Sequence, residues 1–86
     1  MSNNFRTIKE DEFEDFINEC EARGFSPEEF ELHEHGVIET EITPAHFLLN
    51  GKITITRGKN SRIYSTGDSV DWLVSFAGDL RKGVFN

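Results

Sequence analysis

The stretch 51–67 constrains the fold of this chain more than any other segment. Ile53 and Ile55 alternate with threonines, which is the two-residue period of a half-buried strand rich in β-branched side chains. Gly58 and Asn60 then interrupt the run, and both residue types tolerate the positive φ angles of tight turns. Alternation resumes after Asn60, so the segment predicts a β-hairpin with one apolar face that the rest of the chain must cover.

The register of this hairpin depends on the length of its loop. A two-residue loop at 59–60 would oppose two arginines, whose like charges repel. A three-residue loop over 58–60 instead pairs Ile55 with Ile63, which collects the isoleucines of both strands on one face. We therefore predict the three-residue loop, and with it a Tyr64 side chain that points away from the core.

A longer strand is predicted to lead into this hairpin. A turn at Gly51 would leave Phe47 and Leu49 on the polar face of the sheet. If the strand runs straight from about residue 46 to residue 57, both side chains share the face of the isoleucines. We predict the straight strand, with Gly51 as a β-bulge within it.

A second hairpin is predicted between residues 30 and 43. Apolar and polar residues alternate over 30–35 and again over 37–43, on either side of Gly36. A three-residue loop ending at Gly36 would gather the apolar side chains of both segments on one face. Pro44, which has no N–H to donate to a ladder, marks the end of the second segment.

A helix is predicted from about Ile8 to Arg23. Thr7 and Glu10 have the spacing of a capping box, and Gly24 is a natural stop. Its apolar stripe consists of Phe13, Phe16, Ile17 and Cys20. A short helical turn is expected next, because a serine and a proline at 26–27 precede two glutamates.

A second long helix is predicted after the hairpin. Asp68 is its expected N-cap, and Gly83 follows the basic last turn as a C-terminal stop. Its apolar positions recur at helical spacing and comprise Leu73, Phe76, Ala77 and Leu80, widened by Val70 and Trp72.

Together these elements predict an α+β fold in a single domain spanning residues 1–86, with residues 1–6 disordered. We expect a three- or four-stranded antiparallel sheet with an acidic N-terminal helix and a C-terminal helix packed on one face, in the order α-β-β-β-β-α. The helices are expected to cover Ile53, Ile55 and Ile63.

The charge of the chain is divided between its two halves. Residues 1–50 carry thirteen acidic and three basic side chains, a net charge of −10, whereas residues 51–86 carry three acidic and six basic ones, a net charge of +3. The first helix concentrates seven of the carboxylates, at Glu10, Asp11, Glu12, Glu14, Asp15, Glu19 and Glu21. Such a face either keeps a small protein in solution or docks on a basic partner, in the second case standing in for a phosphate backbone.

The hairpin offers an alternative interaction surface. Its basic and aromatic residues are Lys52, Arg57, Lys59, Arg62 and Tyr64. A β-ribbon with these side chains has the chemistry to enter a nucleic-acid groove and stack on a base, although the acidic half opposes approach to phosphate. Basic residues on an exposed hairpin also protect its edge from aggregation, and they offer a second copy of the chain a partner for its acidic half.

A weaker alternative is a metal site. His33 and His35 lie two residues apart on a strand and point to the same side, and His46 offers a third imidazole. Two histidines at this spacing are also ordinary strand surface, so we assign no metal to them.

Other catalytic chemistry is not indicated. Cys20 lies between Glu19 and Glu21, which raise a thiol pKa rather than lower it, so we expect a small buried residue and not a nucleophile. The chain has no phosphate loop, dinucleotide motif or nucleophile elbow. We therefore expect no enzyme activity and no cofactor.

The amino-acid composition also predicts the cellular compartment of the protein and the class of its partner. One cysteine, no apolar signal segment and no membrane-length apolar run predict a cytoplasmic protein that does not associate with membranes. We expect an interaction module, a regulator or inhibitor of the kind encoded by phages and mobile elements, that binds a basic, nucleic-acid-handling protein. A homodimer held by the opposite charges of the two halves is a further expectation, and direct nucleic-acid binding is the runner-up.

Overall fold

The chain folds as a three-stranded antiparallel sheet preceded by one helix and followed by another. The computed structural model describes residues 5–67 and 70–86. Its elements are α1 (Glu10–Ala22), one 3-10 turn (Pro27–Glu29), β1 (Glu31–Thr43), β2 (His46–Arg57), β3 (Asn60–Gly67) and α2 (Trp72–Lys82). The strands lie side by side in the order β1-β2-β3. The predicted α+β class is therefore confirmed, with three strands rather than four.

The predicted hairpin over residues 30–43 is wrong, because β1 runs continuously through Gly36. His35 pairs with Lys52 and Ile38 pairs with Asn50, so two residues of β1 face one residue of β2. Gly36 has a φ of 61°, the left-handed conformation that a bulge of this kind requires of its first residue. The glycine that suggests a turn in the sequence is instead a β-bulge, and β1 ends just before Pro44 as predicted.

The strand predicted from residue 46 to residue 57 is confirmed as β2, but the bulge predicted within it at Gly51 lies in β1, directly opposite. Gly51 is buried beneath the N-terminal segment. A Cβ atom added there would stand 3.1 Å from Cγ2 of Thr7 and 3.2 Å from Cγ2 of Val37. The absence of a side chain lets the segment before α1 lie across the sheet.

The register predicted for the β2–β3 hairpin is also wrong by one residue. Arg57 pairs with Asn60, so the loop has two residues, and Ile55, which was predicted to pair with Ile63, faces Arg62 instead, while Ile53 faces Tyr64. Because neighbouring strand residues point to opposite faces, this shift buries Tyr64, which is 6% exposed, and leaves Ile63 62% exposed. The larger aromatic side chain thus takes the place that alternation assigned to Ile63.

Helix α1 begins later than the sequence predicts. Its first residue is Glu10, and the Glu12 carboxylate accepts the Lys9 backbone N–H at 3.1 Å. The predicted capping box of Thr7 and Glu10 is therefore wrong, since Thr7 is buried and bonded elsewhere. The helix ends at Ala22, and the predicted stop Gly24 follows the C-cap Arg23 with a φ of 81°.

The core lies between the helices and one face of the sheet, and Phe16 is at its centre. The Phe16 ring lies 5.0 Å from that of Phe76 and 5.9 Å from that of Phe30, measured between centroids. Ile53 and Ile55 close the core from the sheet side and are fully buried. Each such apolar side chain contributes roughly 1.5–3 kcal/mol to stability by leaving water.

Helix α2 presents Trp72, Phe76 and Leu80 to this core, and Gly83 ends it with a φ of 79°, as predicted. The predicted N-cap Asp68 lies outside the described residues. Of the segment 1–6 predicted to be disordered, residues 1–4 lie outside the described residues as well. Phe5 packs on Phe13, with a distance of 6.3 Å between ring centroids.

The molecule is elongated, with extents of 45 × 22 × 19 Å. The long axis reflects the length of β1 and β2, whose distal part has no helix over it. Every residue from Ile38 to Phe47 is exposed, and β3 ends at Gly67, opposite Asn50. We call residues 38–47 the arm. Its exposed apolar side chains include Ile38 and Ile42, which were predicted to lie on the core face.

Candidate interaction surface

The solvent side of α1 carries most of the carboxylates that the sequence singles out. Those of Glu10, Asp11, Glu14, Asp15 and Glu21 are exposed, and we call these five residues the acidic surface. The other two predicted residues have partners within the chain. Glu12 caps its own helix, and Glu19 forms an ion pair with Arg23 at 3.3 Å. Asp11 also accepts the Glu12 backbone N–H at 3.0 Å, but its side chain stays exposed. The predicted set of seven thus divides into five exposed carboxylates without an ion pair among the described residues and two that are less exposed and bonded within the helix.

No cation within residues 5–67 and 70–86 forms an ion pair with the acidic surface. The ion pairs in this part of the chain join Arg23 to Glu19 and Arg57 to Glu29. Five like charges on a helix of 13 residues repel one another and produce a strongly negative local potential. Phe16 and Cys20, both buried, anchor the opposite side of the helix and hold these charges in place.

A groove runs between α1 and α2 beside the acidic surface. Its volume is about 270 Å³, and it is lined by Asp15, Glu19, Asp71, Leu73, Val74 and Ala77. Val74 is 64% exposed and adjoins Leu73 and Ala77 in the lining, so the groove presents a contiguous apolar area to solvent. Val74 was not among the predicted site residues because it lies outside the predicted stripe. Its spacing of three residues from Ala77 was the available signal.

The carboxylate of Glu34 is not part of any surface site, because backbone and side-chain donors occupy it. It accepts the N–H groups of Arg6 at 2.9 Å and Thr7 at 2.7 Å, together with the Thr7 hydroxyl. Burial alone would raise the pKa of Glu34, but these donors and the Arg6 charge hold it below its usual value. The Thr7 hydroxyl also lies 2.6 Å from that of Thr66, so the N-terminal segment is tied to both outer strands.

The basic hairpin does not form one nucleic-acid surface. Arg57 is engaged within the fold: its guanidinium lies 4.8 Å from the Phe25 ring centroid and donates to the Phe85 carbonyl at 2.7 Å. Lys52, Lys59 and Arg62 remain exposed. Lys52 and Arg62 lie on opposite faces of the sheet, since Lys52 pairs with Ser65, whereas Arg62 pairs with Ile55 on the core face.

Tyr64, predicted to face solvent and stack on a base, is buried instead. Its hydroxyl donates to the Asp79 carboxylate at 2.6 Å, which joins β3 to α2. Burial and the neighbouring Asp79 charge raise the pKa of the Tyr64 phenol well above its usual value. The runner-up surface therefore loses its only aromatic residue.

The three histidines do not come together. His33 and His35 lie on the sheet face opposite the helices, with ring centroids 6.0 Å apart, and His35 Nε2 lies 2.8 Å from Thr54 Oγ1. His46 is six residues along β2 from Lys52, the partner of His35, which corresponds to about 20 Å. Within the described part of the chain, no group of three His, Cys, Asp or Glu side chains has the arrangement of a metal site.

Cys20 is a core residue, as predicted. It is fully buried, and burial followed by the charges of Glu19 and Glu21 raises the pKa of its thiol to about 12. A thiol in this environment stays protonated at neutral pH and is a poor nucleophile.

The fold and its surfaces define a small α+β protein with an antiparallel sheet and a negatively charged first helix. Comparisons with models of known protein families, with curated proteins and with solved structures find no match. Within the described residues, neither helix has the length and apolar character needed to cross a bilayer.

Proposed function

We propose that this protein is a non-enzymatic interaction module that binds a basic surface on a partner protein through the acidic surface of α1. The observation that carries this proposal is that these five carboxylates are exposed and have no cationic partner in the described part of the chain. Binding to a basic surface would relieve their mutual repulsion and release counterions. Because the helix is anchored by buried side chains, little backbone conformational entropy is lost on docking.

The partner class that fits best is a nucleic-acid-handling protein. Grooves that hold a phosphate backbone recognise it mainly through charge, so an ordered row of carboxylates can occupy them. Residues on α1 advance by about 1.5 Å each, which gives the acidic surface a length of about 17 Å. Occupying such a groove would make the protein a regulator or inhibitor of its partner.

The test is capture of partners from lysate by tagged protein, with nuclease present and at two salt concentrations. The informative variant reverses three charges of the acidic surface: Asp11→Lys, Glu14→Lys and Asp15→Lys. The matched control reverses three exposed carboxylates of β1 through Glu31→Lys, Glu39→Lys and Glu41→Lys, which changes the net charge equally.

The proposal predicts a protein that resists nuclease, leaves at high salt, is lost with the α1 variant and is retained by the control. Equal loss with both variants would mean that net charge alone drives binding, and would contradict a defined site. Recovery of nucleic acid, with proteins lost on nuclease treatment, would instead favour the hairpin residues Lys52, Lys59 and Arg62. Sedimentation of the purified protein at both salt concentrations tests the charge-driven homodimer.

A further inference from the structure

We infer that the groove between α1 and α2 binds a basic amphipathic helix of the partner, with its apolar side chains on Val74 and its cations beside the acidic walls. This inference rests on the proposed function and deepens it, because it names the kind of segment that α1 engages. It starts from the groove's composition: Leu73, Val74 and Ala77 supply its apolar lining, which we call the floor, and three carboxylates supply its acidic lining, which we call the walls.

The apolar side chains of the floor are not required to attach α2 to the core. Trp72, Phe76 and Leu80 already bury α2 against the core. Leu73 and Ala77 are half-buried and Val74 is exposed, so the apolar arc continues past the core toward solvent. An apolar stripe of about 100° suffices for a helix on one side of a domain. The additional arc ends in the groove, where no part of the described chain covers it.

The carboxylates of the walls favour a basic segment as the ligand of the groove. Asp15 and Asp71 are exposed and have no ion pair among the described residues, while Glu19 is paired with Arg23. An apolar segment with acidic neighbours would meet repulsion here, whereas one flanked by Lys or Arg would gain from both walls. Cations of the bound segment are therefore expected nearest Asp15 and Asp71.

The groove's geometry favours a helix over an extended strand. The groove lies between two helices, whose backbone N–H and C=O groups are already bonded, so there is no strand edge to extend. A helix presents apolar side chains at every third or fourth residue and suits a floor built the same way. A volume near 270 Å³ accommodates anchoring side chains, and it is below the usual range of about 300–1,000 Å³ for small-molecule pockets.

A second copy of this chain does not supply such a helix. Helix α1 is acidic, and the basic residues of α2 are limited to Arg81 and Lys82 in its last turn. The remaining exposed cations of the hairpin lie on strands and a loop. The occupant is therefore a different protein.

The experiment titrates the full-length protein with a synthetic Leu/Lys amphipathic helix of about 14 residues, or four turns. Two comparison peptides have the same composition in scrambled order and the same pattern with Glu in place of Lys. Binding is measured by calorimetry, and the site is mapped by NMR shifts of the Leu73, Val74 and Ala77 methyl groups.

The informative variant is Val74→Lys, and its matched control is Ile63→Lys, on the sheet face opposite the helices. The two side chains are 64% and 62% exposed, so both variants are expected to fold, which circular dichroism checks. The inference predicts preference for the Leu/Lys helix and at least about a tenfold loss of affinity with Val74→Lys, or 1.4 kcal/mol. Affinity should stay within about twofold with Ile63→Lys.

The outcomes separate this inference from the proposed function. Three results together would exclude the groove as the binding site and leave docking through the α1 charges in place. The scrambled peptide would bind as well as the helix, Val74→Lys would have no effect, and reversal of the α1 charges would abolish binding. If reversal of the α1 charges changes nothing, the proposed function fails. Equal binding of the Leu/Glu peptide would overturn the basic character of the occupant, and methyl shifts elsewhere would overturn the site.

Discussion

Glu34 shows how hydrogen bonds within the fold can occupy a side chain that the sequence suggests is available at the surface. In the sequence, Glu34 lies between two histidines and looks like part of a polar strand surface. In the structure it is on the core side of β1, where backbone N–H groups and the Thr7 hydroxyl surround its carboxylate. Hydrogen bonds to a charged acceptor contribute about 1.5–3 kcal/mol each, so this residue matters for stability and not for binding.

We expect Glu34→Gln to lower the free energy of unfolding by about 1–3 kcal/mol at neutral pH. Because the folded-state pKa of Glu34 is lowered, its contribution is present above the unfolded value of about 4.3. It is lost as pH falls through the lower folded value, so wild type and variant should converge in acid. Urea unfolding at a series of pH values measures the difference.

The control for this prediction is Glu39→Gln, because Glu39 is exposed on the arm and makes no described side-chain hydrogen bond. Its effect should stay within about 0.5 kcal/mol at every pH. A constant difference between wild type and Glu34→Gln across the acid range would contradict the assigned role of the carboxylate.

The bulge in β1 decides which side chains of this strand face the helices. It inserts one extra residue between His35 and Ile38 and reverses the alternation beyond it. The reversal is one reason why the apolar residues of 30–35 and 37–43 do not share a covered face. A bulge on the outer strand also interrupts its free edge, which limits pairing with other chains.

We expect opposite effects from substituting the glycine of the bulge and a glycine inside a helix. Gly36→Ala should destabilise the protein by about 1–2 kcal/mol, since φ at this position is 61° and only glycine adopts it without strain. Gly78→Ala should stabilise it by about 0.5–1 kcal/mol, because Gly78 is inside α2 with open space around it.

Neither added methyl group would contact another residue, so the comparison isolates backbone conformation. Thermal or urea unfolding of both variants provides the measurement. A neutral Gly36→Ala variant would mean that the bulge can relax, and would remove the explanation for the continuous β1.

At the scale of the whole molecule, the helices cover only part of a long sheet. Phe16 is 1% exposed at the centre of the covered part, whereas Phe47 on the arm is 48% exposed. A two-stranded ribbon gains little stability on its own in water. The arm is therefore expected to depend on the rest of the sheet while contributing little in return.

We accordingly expect Phe16→Ala to cost about 3–5 kcal/mol and Phe47→Ala less than about 1 kcal/mol. The two substitutions remove the same side chain, and differences in helix and strand propensity amount to at most about 1 kcal/mol, so the difference mainly reports burial. Chemical unfolding followed by the fluorescence of Trp72, the chain's one tryptophan, measures both. A large effect of Phe47→Ala would show that the arm is packed in solution.

Local pattern was sufficient to predict the existence of most elements. The helix of residues 10–22, the strand of residues 46–57 and the glycine stops at Gly24 and Gly83 follow from spacing and backbone preference. These are decided by contacts within a few residues, which the sequence displays directly. The five carboxylates of the acidic surface were visible for the same reason, because polar residues at helical spacing face solvent.

The face to which each strand residue points is set by contacts between elements that are distant in the chain. Whether Tyr64 or Ile63 is buried depends on Asp79 in α2, and whether Gly36 turns or bulges depends on β2 and the segment over Gly51. The groove at Val74 likewise exists only because two distant helices lie side by side. Most elements and their charge can be predicted from the sequence because both are local properties. The register of the β2–β3 hairpin, the bulge in β1 and the groove at Val74 depend on packing between residues far apart in the chain.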